Sequence, residues 1–130
     1  MMFAHLFPLS DDDPCLHPSE VAKRITAQFP DSIADWDRAN TKLQSELDQL
    51  EQAGTPGPVI AGHRNLFNNT VYIEVRLPNR PGRGVWFFAY LDSAIDVETI
   101  EPNDGEGTPQ EKQLVAEIAK CLNYIVEFEV

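Results

Sequence analysis

Residues 71–99 limit the fold more than any other stretch, because three strand-like segments succeed one another there with only turn residues between them. Val71, Ile73, Val75 and Leu77 fall on one face of an extended chain, and Tyr72, Glu74 and Arg76 on the other. Residues 78–84 then read as a hairpin loop carrying Arg80, Gly82, Arg83 and Gly84. Residues 85–91 are nearly unbroken apolar, which predicts a central strand covered on both faces. After a turn at Asp92 and Ser93, Ile95, Val97 and Thr99 alternate with Asp96 and Glu98. That pattern predicts a third strand with one wet face, placed at a sheet edge where charge discourages pairing with other chains.

Helical spacing surrounds this run. Residues 18–29 open on Pro18, carry Val21, Ala22, Ile25 and Phe29 as a stripe, and stop at Pro30. A second helix is predicted from an Asp31 or Ser32 cap to Ala53, with Gly54 placed for its C-terminal turn. Its stripe is Ile33, Trp36, Asn40, Leu43, Leu47 and Leu50, and its length is about 33 Å at about 1.5 Å per residue. Asn40 breaks the stripe with a polar group; a coiled coil uses such a residue to set register, but packing against a sheet suits so short a stripe better. Residues 55–58 form a Pro/Gly turn, residues 59–63 a short strand, and Asn68 and Asn69 another turn. Residues 102–107 make an acidic loop. Thr108, Pro109 and Glu111 then spell a capping box that opens a helix with Leu114, Ile118, Cys121 and Leu122 inward. Residues 124–130 alternate as a terminal strand. At the other end, Phe3, Leu6, Phe7 and Leu9 suit a short strand or a docked arm, ended by Asp11–Asp13 and Pro14.

Strands in series with one crossover helix after them imply an α+β fold. The expected form is a single domain over residues 1–130. Its sheet is mixed or mainly antiparallel, of about four to five strands, with two N-terminal helices and one crossover helix packed on it. A chain of 130 residues can bury a core without disulfides or metal.

Charge narrows the function classes. The chain has 21 acidic residues against 10 basic ones, a formal net charge of −11. That repels phosphate backbones and favours contact with a basic protein. Inside this acidity lies an island of Arg64, Arg76, Arg80 and Arg83, with Glu74 the only acid among them. No stretch carries a catalytic or cofactor signature. His5, His17 and His63 lack metal-ligand spacing, and the Asp11–Asp13 run lacks the alternation of a calcium loop. There is no G-x-S-x-G elbow, and Cys121 sits in a helical pattern as a small hydrophobe. Carboxylates such as Asp92 with Asp96, or Glu98 with Glu101, show no spacing that separates acid–base work from a solvated strand face. The loop around Arg80 and Arg83 lacks the phosphate-loop pattern, and the segment after it reads as a strand instead of a helix. Alternation puts Trp86, Phe88 and Tyr90 on one face and Phe87 on the other, all read as core. Without basic residues between them, they do not make an RNA-stacking platform.

The expectation is a non-enzymatic protein-binding domain, an acidic inhibitor or immunity-type protein that neutralises a basic protein partner by occlusion. Asp92, Asp96, Glu98, Glu101, Asp104 and Glu106 would meet the partner's cations, and Arg80 and Arg83 its carboxylates. No catalytic residue, cofactor or metal is expected, and neither nucleic acid nor membrane is a partner. The chain is expected as a monomer or homodimer. Two alternatives stand beside this reading: an acidic chaperone or adaptor for a hydrophobic segment, and a small enzyme with a dispersed site around His63. The N-terminus lacks a basic stretch before its apolar run, and no window reaches the roughly 18 apolar residues that span a bilayer. A cytoplasmic protein with Cys15 and Cys121 reduced is the expectation.

Overall fold

The computed structural model describes residues 3–78, 80–100 and 108–129. Its elements in chain order are β1 (Phe3–Pro8), α1 (Pro18–Gln28), β2 (Ile33–Asp35), α2 (Asp37–Gln52), α3 (Gly57–Asn68), β3 (Val71–Leu77), β4 (Arg80–Ala89), β5 (Ile95–Thr99), α4 (Pro109–Leu122) and β6 (Tyr124–Phe128). The strands form one six-stranded sheet in the order β2-β3-β4-β5-β1-β6, every pairing antiparallel. This is the expected α+β class, with a larger sheet and one more helix than the spacing predicts.

Alternation decides what each strand buries. Ala4 and Leu6 of β1, Ile73 and Val75 of β3, Val85 and Phe87 of β4, and Ile95 and Val97 of β5 are almost wholly excluded from solvent. They meet Val21 and Ile25 of α1 and Val115, Ile118 and Leu122 of α4 in one core. Both helices begin as their sequences dictate. His17 caps α1 by accepting the Ser19 N–H, with Pro18 in the first turn. At α4, Thr108 Oγ1 accepts the Glu111 N–H at 3.2 Å while Glu111 Oε1 accepts the Thr108 N–H at 3.0 Å, the predicted capping box. Asn123 ends α4 in the left-handed conformation (φ 61°), a backbone state that Asn tolerates better than most residues.

Several expectations are corrected. The second helix starts at Asp37, not at residue 31 or 32, and has 16 residues. Ser32 is spent on a turn, donating its hydroxyl to the Phe29 carbonyl at 2.7 Å. Ile33 to Asp35 are drawn into the sheet because they satisfy backbone groups at the edge of β3. Residues 59–63 lie in α3 rather than in a strand. The Pro56 carbonyl accepts the N–H groups of Val59 and Ile60, so Gly57 and Pro58 form a first helical turn, where proline's missing donor costs nothing. Thr70 Oγ1 and Asn69 Nδ2 donate to the carbonyls of Leu66 and Asn65 at the other end.

The hairpin loop is shorter than expected, since β4 begins at Arg80 and pairs with Leu77 across a register shift. Gly84 stands at that irregularity, where an added Cβ would lie 2.4 Å from the Val75 carbonyl oxygen. Strand β5 is interior, not an edge, because the N-terminal strand β1 inserts between it and β6. Cys15 and Cys121 are free thiols, and Cys121 is only partly buried.

Candidate functional site

Helices α1 and α4 pack on one face of the sheet. The opposite face is built by residues that alternate with the core positions, and strand register sets them in two rows. One row runs Asp35, Tyr72, Phe88, Asp96, His5, Glu127 across all six strands. The other runs Ile33, Glu74, Trp86, Glu98, Phe3, with Glu129 beside Phe3 through a backbone bond of 2.9 Å. Acids and aromatic rings therefore share both rows, alternating strictly from Glu74 onward in the second, and His5 is the one basic group in them.

The middle of this face is a concavity of about 740 Å³ lined by Phe3, His5, Tyr72, Trp86, Phe88, Tyr90, Asp96 and Glu98. Tyr72 meets Phe88 edge to face, with ring centroids 4.7 Å apart. The planes of Trp86 and Phe88 lie within 19° of each other at 6.3 Å. Trp86, Phe88 and Tyr90 are half-buried rather than core, which corrects the expectation of a strand covered on both faces. Val85, Phe87 and Ala89 of β4 are the side chains buried in the core beneath the packed helices.

Electrostatics at the site favour positive charge. His5 Nε2 lies 2.6 Å from Glu129 Oε1, and its Nδ1 lies 2.9 Å from Asp96 Oδ1. Hydrogen bonds to Glu129 first, then to Asp96, raise the imidazole above its ordinary 6.5. When protonated, the ring donates from both nitrogens, one to each carboxylate. The Tyr90 hydroxyl is pushed up to about 12, first by burial and then by the negative charge of Asp96. Apart from that burial, which disfavours charge of either sign, the aromatic faces and the carboxylates of this concavity both attract a cation.

The structure brings together some of the sequence-predicted residues and not others. Asp96 and Glu98 line the concavity. Asp92 is in the β4–β5 turn with φ 50°, a conformation that a short polar side chain tolerates. Glu101, Asp104 and Glu106 lie outside the described residues. Arg80 is exposed at the start of β4, whereas Arg83 turns toward α4, where its Nη1 is 3.7 Å from the buried Glu111 Oε1. Other members of the arginine island also have acidic neighbours: Arg64 pairs with Glu51 at 3.5 Å, and Arg76 with Glu74. His63 is within α3 and is not among the residues lining the concavity.

Sequence reasoning missed His5, Tyr72, Glu127 and Glu129 as parts of this face. The alternation of β3 and β6 contained part of the signal, but the neighbour that β1 would take did not. Among the described residues no group of three or more His, Cys, Asp or Glu side chains is arranged to hold a metal ion, and no helix is long and apolar enough to cross a membrane. No protein-family model, curated protein or solved structure matches the chain.

Proposed function

We propose that the chain is a non-enzymatic protein-binding domain that neutralises a basic protein partner by covering it with the outer face of its sheet. The observation that carries this reading is the pair of rows in which acids stand among aromatic rings around one concavity. Half-buried aromatics are the usual anchors of an interface, and rim carboxylates speed the encounter with a cationic surface. The net charge of −11 extends that steering beyond contact range. Apolar side chains left open on the same face, Phe3 at 42% and Ile33 at 58% exposure, supply area to bury. Six strands at about 4.8 Å spacing make a face about 24 Å wide, the scale of a standard protein interface. Contact by Asp96 and Glu98 keeps two of the acids expected from the sequence and adds Glu74, Glu127 and Glu129.

Photo-crosslinking tests the reading. A photoreactive residue at Phe3, on the outer face, is compared with one at Lys23, on the exposed side of α1. The expected result is a basic protein joined at position 3 and not at 23. It is lost in the Asp96→Lys, Glu98→Lys double variant and at about 0.5 M salt, where exposed charges are screened. A partner joined equally from both positions, or one indifferent to charge reversal, overturns it. Indifference to charge together with dependence on the aromatic rings would point instead to a chaperone or adaptor for an apolar segment.

A further inference from the structure

The concavity has a feature that a flat acidic surface lacks: an imidazole that becomes a cation on protonation sits on its rim. His5 spans Asp96 and Glu129 at 2.9 and 2.6 Å, so one wall carboxylate is paired with positive charge whenever His5 is protonated. Glu98, two residues further along β5 on the same face, has no ion pair among the described residues. Between these carboxylates and Tyr72 stand Trp86 and Phe88, whose rings are aligned to within 19°. A planar group with several fixed donors matches such walls. Its face stacks on the rings and its edge forks onto carboxylate oxygens. An ammonium fits the charge but neither stacks nor forks. Resting on the function proposed above, we infer that the concavity is a socket for an arginine side chain of the partner, in which Asp96 is passed from His5 to the incoming guanidinium.

Exchange at Asp96 makes binding depend on pH. The charged groups facing His5 are Asp96 and Glu98 from β5, and Glu127 and Glu129 from β6 and the residue after it. While His5 is protonated, an arginine has to displace it from Asp96. Once His5 is neutral, Asp96 is open. Affinity therefore rises as the pH climbs through the His5 titration, and below that point binding expels a proton from His5. The raised imidazole agrees with this polarity.

The test uses the full chain and three short peptides that differ at one position: arginine, its neutral isostere citrulline, or norleucine. Binding is tracked by the Trp86 indole N–H resonance, assigned with Trp86→Phe, at about pH 6 and about pH 8. The expected result is an arginine peptide at least about tenfold tighter than the citrulline one. It is weakened by Asp96→Asn and by Glu98→Gln, and binds more tightly at the higher pH. In His5→Gln that pH dependence disappears while the affinity at low pH rises. Equal binding of norleucine and arginine, no binding of any peptide at millimolar concentration, or indifference to both carboxylate variants overturns the socket. The citrulline comparison is made on the unaltered protein, so it holds even where a variant folds poorly. A basic protein crosslinked at Phe3 alongside failure of the arginine peptide would sink the socket and leave the docking face standing. An arginine peptide that binds while no protein crosslinks would do the reverse.

Discussion

His5 and Trp86 show how much one side chain's surroundings decide. His5 is held between two half-exposed carboxylates, so its charge has a measurable consequence for stability. Its folded pKa lies above the ordinary 6.5. The clamp therefore adds its full stability below about pH 6.5 and loses it as the pH rises through the higher folded value. An imidazole titration by NMR should find His5 above 6.5 and find it lowered in Glu129→Gln. The stability gap between the natural chain and His5→Gln should close at alkaline pH, and a gap that widens there would refute the clamp. Trp86 is half-buried on the face opposite α1 and α4. Trp86→Ala should cost about 1–2 kcal/mol in urea unfolding, below the roughly 3–5 kcal/mol of a fully buried aromatic. A larger loss would return Trp86 to the core and leave the concavity without a wall.

At the scale of the element, α4 is anchored twice by Glu111. The side chain has no solvent exposure, completes the capping box with Thr108, and faces Arg83 of β4 at 3.7 Å. It is thus both a helix start and a tie from helix to sheet. Glu111→Ala should destabilise by about 2–4 kcal/mol, since it removes a cap and leaves the Arg83 charge without this acid. Glu111→Gln should cost less, because the amide oxygen still accepts the Thr108 N–H. Equal losses for the two variants, measured by chemical denaturation, would assign the effect to packing instead. The same balance between local and distant bonds explains β2. Helical spacing at Ile33 and Trp36 is real, but three residues of pairing with β3 replace the first helical turn.

For the whole molecule, the decisive event is the insertion of β1 between β5 and β6. The chain's first strand thus becomes interior, and its Ala4 and Leu6 have no solvent exposure. Removing residues 1–9 should abolish cooperative unfolding, because β6 loses its one strand neighbour among the described residues and the core opens along β5. A truncated chain that still melted sharply and kept its near-ultraviolet circular dichroism would show that β1 is dispensable. Insertion also completes the candidate face, since it brings His5 to Asp96 across 91 positions of sequence.

Features written into short windows of the chain were legible before any folding. The capping box at Thr108, the Pro18 start, the alternation of β3 and β5 and the apolar stripe of α4 each depend on neighbours within a few residues. The α+β class came from their order. Assembly of the sheet settled the remainder. Whether residues 33–35 are helix or strand depended on an open edge of β3, and whether β5 is an edge depended on where β1 docks. Periodicity cannot say whether a second layer covers the aromatic side of β4, so Trp86, Phe88 and Tyr90 read as core until the strands were placed. The candidate site is made by strand register, and register is set by long-range pairing that no short window of sequence contains.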